Sequence, residues 1–258
     1  MTKKVIYTCC VGGYDAILQP EAIREDYDYV CFSNDIKEQR IGVWQIRPIP
    51  YAAVDKTFLS RYPKLQPHLL LGDYDYSVYI DSNVQIIEQE FYRIIDEKIS
   101  SGCLIAQVRH CEPPIDCIYD DIPYAFRYNK ITFCQAWHQT KYLHRHHFPR
   151  HYGLFENNLI FRSHLDERVI RISDQWWEEY SKTVPRDQFS LMYVYWKEQY
   201  MPELLLPANE CTRNTHLLRY HLHLSEQRVE IPLKDVVSNR LHEVMYPYVK
   251  KMLQSVFK

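Results

Sequence analysis

What the chain lacks narrows it first. It has no run of 18 apolar residues, so no transmembrane helix is expected. M-T-K-K leads straight into V-I-Y-T-C-C rather than into a long apolar segment, so no secretory signal is expected either. Its eight cysteines form no C-x-x-C and no zinc-finger spacing with histidine, which argues against structural zinc and for reduced, mostly buried thiols. A net charge of −2 leaves no broad basic surface for nucleic acid. Glycine is scarce, six in 258 residues, and only Gly12-Gly13 stand together. They permit a tight turn or a close approach of backbone to ligand, a weak phosphate-loop signal when alone. No internal repeat and no low-complexity linker divides the chain, so one main domain is expected.

What is present is a globular composition, 46% apolar and 25% charged, with 22 tyrosines. Tyrosine supplies large buried surfaces with polar tips, useful in a core or against sugars and bases. Short β-branched and aromatic runs at residues 4–10, 28–33, 43–49, 76–80, 84–87, 103–109 and 154–162 predict strands. A helix is predicted over 90–99 from the spacing of Phe91, Ile94, Ile95 and Ile99, and others over 131–142, from a Ser173 cap, and from Pro185 onward. Pro63 and Pro67 are expected to split residues 55–71 into two short helical turns. Strands alternating with helices imply an α/β domain with a mostly parallel sheet. Residues 1–232 form that domain, and 233–258 an amphipathic helical tail broken at Pro247. The tail would pack on the domain, pair subunits or lie on a membrane surface.

One stretch concentrates chemistry. Residues 61–83, R-Y-P-K-L-Q-P-H-L-L-L-G-D-Y-D-Y-S-V-Y-I-D-S-N, set Arg61 and Lys64 ahead of a strand that ends in Asp81-Ser82-Asn83. In open α/β sheets ligands bind beyond the carboxyl ends of strands. Asp81 and Asn83, at i and i+2, offer oxygens to a hard cation bound to a diphosphate, although such triplets are also common turns. Arg61 and Lys64 complement phosphate, or are ordinary surface charges.

Y-T-C-C-V-G-G-Y-D, F-S-N-D, R-Y-P-K-L-Q-P-H, D-Y-D-Y-S-V-Y-I-D-S-N, G-L-F-E-N-N-L-I-F-R and R-D-Q-F-S follow one another in an order that resembles a glycosyltransferase-like family. This family, with bacterial and plant members, was formerly catalogued as a domain of unknown function and is similar to nucleotide-sugar transferases of the GT-A fold. The resemblance spans residues 4 to about 200. It implies a Rossmann-type mixed sheet flanked by helices, and transfer from a nucleoside-diphosphate sugar, UDP-sugar favoured, to a glycan or lipid-linked acceptor in surface polysaccharide biosynthesis. By position it implies that Thr8, Gly12, Gly13, Tyr14 and Asp35 hold the nucleoside, and Arg61 and Lys64 the diphosphate. Asp81 also belongs to the donor site and, with Asn83, would hold Mn²⁺ or Mg²⁺. Asn83 stands where that pattern has a second aspartate. A late histidine, His221 or its neighbours His216 and His223, would complete the metal set. Glu156 and Asp187 fall to the acceptor side, as base or as stabiliser of an oxocarbenium-like centre. The expected setting is cytoplasmic, with peripheral contact at the inner face of the cell membrane through the tail. The other reading is a catalytically silent nucleotide-sugar or glycan-binding module of the same fold.

Overall fold

The computed structural model describes residues 2–13, 15–111, 113–223 and 233–256. Among the described residues ten strands are found: β1 (Lys4–Cys9), β2 (Tyr27–Phe32), β3 (Arg40–Ile41), β4 (Trp44–Arg47), β5 (Tyr76–Ile80), β6 (Val84–Ile86), β7 (Ile105–Arg109), β8 (Phe155–Arg162), β9 (Glu203–Leu204) and β10 (Leu218–Tyr220). Eight of them form a sheet ordered β3-β4-β2-β1-β5-β8-β7-β9. β4, β2, β1 and β5 run parallel, and β7 is parallel to β9. β8 lies antiparallel between β5 and β7, and β3 antiparallel to β4. The expected mixed, mostly parallel sheet is therefore the one observed. β7 lies between β8 and the edge strand β9, and β6 pairs with β10 in a small second sheet.

Burial explains the strand sequences. Val5 to Cys9 are all buried, as in a sheet covered on both faces. Side chains alternate across the sheet. Val5, Tyr7 and Cys9 join one core with Trp176, Tyr180 and Phe189, and Ile6 joins the other with Phe91, Tyr92 and Ile95.

The helices are α1 (Lys56–Leu65), α2 (Glu90–Ser100), α3 (Ile118–Arg127), α4 (Phe133–Arg145), α5 (Glu167–Lys182), α6 (Asp187–Lys197) and α7 (Leu233–Val256). The chain divides at Pro67, where a short 3-10 turn (Pro67–Leu69) follows α1, but not at Pro63. Asp55 caps α1 by accepting from Thr57 and Phe58 N–H at 2.6 and 3.3 Å. Pro63 stands near its C-terminal end, where little of the hydrogen-bond ladder remains to be broken. α5 begins six residues before the expected Ser173 cap. Asp166 caps it, accepting from Arg168 and Val169 N–H, and Ser173 is buried mid-helix. α7 runs through Pro247 without interruption and packs on α3, burying Val249 and Leu253. Among the described residues no helix is long and apolar enough to cross a membrane.

Candidate functional site

Parallel pairing of β2, β1 and β5 brings the ends of three strands to one edge, and the candidate residues collect there. Asp81 is the first residue past β5. Its N–H donates to the Asn158 carbonyl at 2.9 Å and its carbonyl accepts from Val84 N–H at 2.9 Å, which locks the turn. Tyr79, two residues earlier, donates its hydroxyl to Asp81 Oδ1 at 2.6 Å. α1 delivers Arg61 and Lys64 three residues apart, on one helical face. Lys64, with a side chain only 2% exposed, holds its ammonium 2.8 Å from Asp187 Oδ2 and 3.5 Å from Asp81 Oδ1. It also lies 4.8 Å over the Tyr79 ring. Arg61 Nε is 3.4 Å from Asp187 Oδ2.

A buried ammonium without counter-charge would be prohibitive, and here two carboxylates flank it. Burial pushes the Asp187 carboxyl up, but the Lys64 and Arg61 charges outweigh it and hold the group well below the usual carboxylate range. Burial, with Asp81 beside it, drives the Tyr79 hydroxyl well above its ordinary value, so it stays protonated and donates to Asp81. The Asp81 side chain is 30% exposed, which leaves it accessible from the cleft.

The loop after β1 closes the other side. Gly12 and Gly13 adopt positive φ of 78° and 63°. A Cβ at Gly12 would meet the Lys56 side chain at 2.8 Å, so glycine also permits the loop's close approach to the start of α1. Gly12 N–H donates to Asp35 Oδ2. Thr8 is buried, and its hydroxyl has no hydrogen-bond partner. It lines a narrow cleft with Ile17, Trp44, Ile80 and Asp81. Tyr14, expected in this pocket, lies outside the described residues.

Asn83 and His221, two residues of the expected metal set, are bonded to each other. Asn83 is buried, its Nδ2 donates to the His221 carbonyl at 2.8 Å, and His221 N–H returns a bond to the Asn83 carbonyl at 2.8 Å. The His221 ring contacts Gln85 Oε1 at 3.0 Å. These bonds tie β6 to the segment after β10 and leave Asp81 as the accessible carboxylate. His216 is exposed beside Glu90. His223 instead reaches the site: its Nδ1 lies 2.9 Å from Asp15 Oδ2, which also accepts from Ser82 Oγ at 2.9 Å. Among the described residues no three His, Cys, Asp or Glu side chains gather as a metal set.

Glu156 enters from β8, whose reversed direction puts its first residues at the same edge, Glu156 opposite Val108 near the end of β7. Its side chain is 4% exposed and paired with Arg213 Nη1. Thr212 Oγ1 and Asn158 Nδ2 each donate to Glu156 Oε2 at 3.1 Å. Both carboxylate oxygens are thus engaged, and together they fasten residues 212–213 across the edge. Asp15, Tyr79, Thr212 and Arg213 are contributors that sequence reasoning missed. Each is an ordinary residue in isolation, and only the Gly-Gly-Tyr-Asp context of Asp15 hinted at a role.

The family model of the TOD1/MUCI70, glycosyltransferase-like domain matches residues 1–221. Comparison with curated proteins finds no match. Among solved structures the chain is similar to one described as "WbbM bifunctional glycosyltransferase apo structure", with a TM-score of 0.45 and 12% identity. The similarity covers 80% of this chain and 39% of that one.

Proposed function

Because the chain belongs to the TOD1/MUCI70 glycosyltransferase-like family, we propose that it transfers a sugar from a nucleoside-diphosphate donor, UDP-sugar favoured, to a hydroxyl of a glycan or lipid-linked acceptor. The observation that carries the donor half is the buried Lys64 ammonium held between Asp81 and Asp187 at the sheet's carboxyl edge, with Arg61 beside it. Departure of a nucleoside diphosphate builds negative charge on the leaving oxygen, and fixed cations lower the barrier by meeting it. Arg61 and Lys64 take that role. Thr8, in the narrow cleft beside Asp81, and the Gly12-Gly13 loop bonded to Asp35 would hold the nucleoside.

Asp187 is a weak base where it stands, since efficient proton transfer wants a pKa near the working pH. Its role in this reading is to hold the two cations in place. Glu156, fastened by Arg213 at the start of β8, is assigned to the acceptor in this reading. A divalent ion fits only sparsely. Mn²⁺ or Mg²⁺ would take Asp81, with the remaining ligands from phosphate and water, and would supply further positive charge to the diphosphate.

The test is hydrolysis or transfer of UDP-, GDP- and CDP-sugars with and without Mn²⁺, comparing wild type with Asp81→Ala. Turnover lost in the variant supports the transferase. The silent binding module is favoured by the burial of Asn83 against the His221 backbone. It is the conclusion if nucleotide sugars raise the melting temperature without turnover. If none is bound or turned over, both are discarded.

A further inference from the structure

A second cleft, of about 560 Å³, is lined by Tyr152, Trp196, Lys197, Gln199, Tyr200 and Met201. Its aromatic walls are held rigidly. Trp196 packs edge-on to Phe148 at 5.7 Å and tilted against Tyr193 at 5.6 Å. Tyr200 accepts the Ile105 N–H through its hydroxyl at 3.1 Å, with the Arg168 guanidinium 4.9 Å over its ring. Lys197, Gln199 and Met201 are exposed at the rim.

Gln199 is the odd residue. It ends α6 in the left-handed region, φ 47°, while Tyr200 N–H closes back onto the Tyr195 carbonyl at 2.9 Å. Helix ends of this kind favour glycine, which meets no Cβ penalty there. Glutamine keeps an amide at the mouth of the cleft instead.

Half-buried rings with an amide and an ammonium at the rim match a saccharide. Apolar C–H faces lie on the rings, and hydroxyls exchange hydrogen bonds with Gln199 and Lys197.

The cleft lies toward the other end of the sheet from the site described above. Tyr200 is bonded to Ile105, which starts β7 and pairs with Arg162 at the end of β8, whereas Glu156 stands near the beginning of β8. α6 spans the distance, with Asp187 in its first turn and Trp196 in its last, roughly 14 Å apart at 1.5 Å per residue.

We propose that this cleft is a glycan-binding groove, separate in place from the site at the carboxyl edge of the sheet. The groove does not depend on the transferase reading.

Affinity electrophoresis of the full chain in gels containing mannan, galactan or dextran tests it. Retardation is expected with at least one polymer, weakened about fivefold or more in Trp196→Ala. Gln199→Gly should weaken retardation too, while its melting temperature stays level or rises because the left-handed residue is relieved. That pairing separates lost contact from lost fold. No retardation by any of the three polymers, or equal retardation of wild type and both variants, overturns the groove. Melting shifts with UDP-, GDP- and CDP-sugars report the donor half separately. Shifts without retardation remove the groove and keep the donor reading, and retardation without shifts does the reverse.

Discussion

The Lys64 side chain is almost fully buried, and its ammonium depends on its two carboxylate neighbours. Replacing Asp187 by alanine strips away the closer one and should destabilise the fold by about 3–5 kcal/mol, the usual consequence of orphaning a buried charge. Urea unfolding measures it. Lys64→Met with Asp187→Asn removes both charges together and should recover a large part of that loss. The same pair governs acid stability. Asp187 has its folded pKa depressed below the unfolded value, so its contribution is complete above pH about 4. It is lost as pH falls toward the folded value. Melting curves from pH 7 to pH 3 should therefore show the gap between wild type and Asp187→Asn narrowing on acidification. A constant gap would refute the ion pair. Arg61, Lys64 and Asp81 were legible because one short stretch carries them. Asp187 was legible as a residue, but its role as their counter-charge was not, since nothing local in R-D-Q points to a helix more than a hundred residues earlier. The bond from the Asn83 amide nitrogen to the His221 carbonyl was not legible, because spacing says nothing of a partner more than a hundred residues later.

Among the elements, α1 does the positioning, and its first turn hangs on Asp55. Asp55→Ala should cost about 1 kcal/mol by loss of the cap, read as a lower urea midpoint with unchanged slope. In the transferase it should also raise KM for the donor more than it lowers kcat, because Arg61 and Lys64 ride on that helix. Strand positions were largely legible from aromatic and β-branched runs. Their order was not, because period-two patterns say nothing about which strand lies beside which. α3 was missed: Pro113, Pro114 and Pro123 read as irregular chain, yet Pro123 sits inside a helix whose Ile118, Ile122, Ala125 and Phe126 are buried. α5 was misplaced by a serine that serves packing while an earlier aspartate caps.

At the scale of the molecule, two cores lie on either side of the sheet, and α7 closes one of them by docking on α3. Leu253 is buried in that contact. Leu253→Ala should cost about 2–5 kcal/mol, measured by denaturant unfolding. A loss under half a unit on that scale would mean that the helix rests only loosely on the domain. The layered α/β class followed from the alternation of elements. The convergence of Thr8, Asp15, Arg61, Lys64, Asp81, Glu156, Asp187, Arg213 and His223 on one edge did not, because it depends in part on the reversed strand β8.

That reversal also sets a timetable for synthesis. β5 pairs on one side with β1, made long before it, but on the other only with β8, where Val78 meets Phe161. While the intervening residues are being translated, β5 presents an unpaired, largely apolar edge to its surroundings. Emergence of β8 from the ribosome is then the event that seals the sheet and brings Glu156 to the site. A nascent chain stalled before residue 155 should be captured by holdase chaperones, and one stalled well beyond residue 162 should be released.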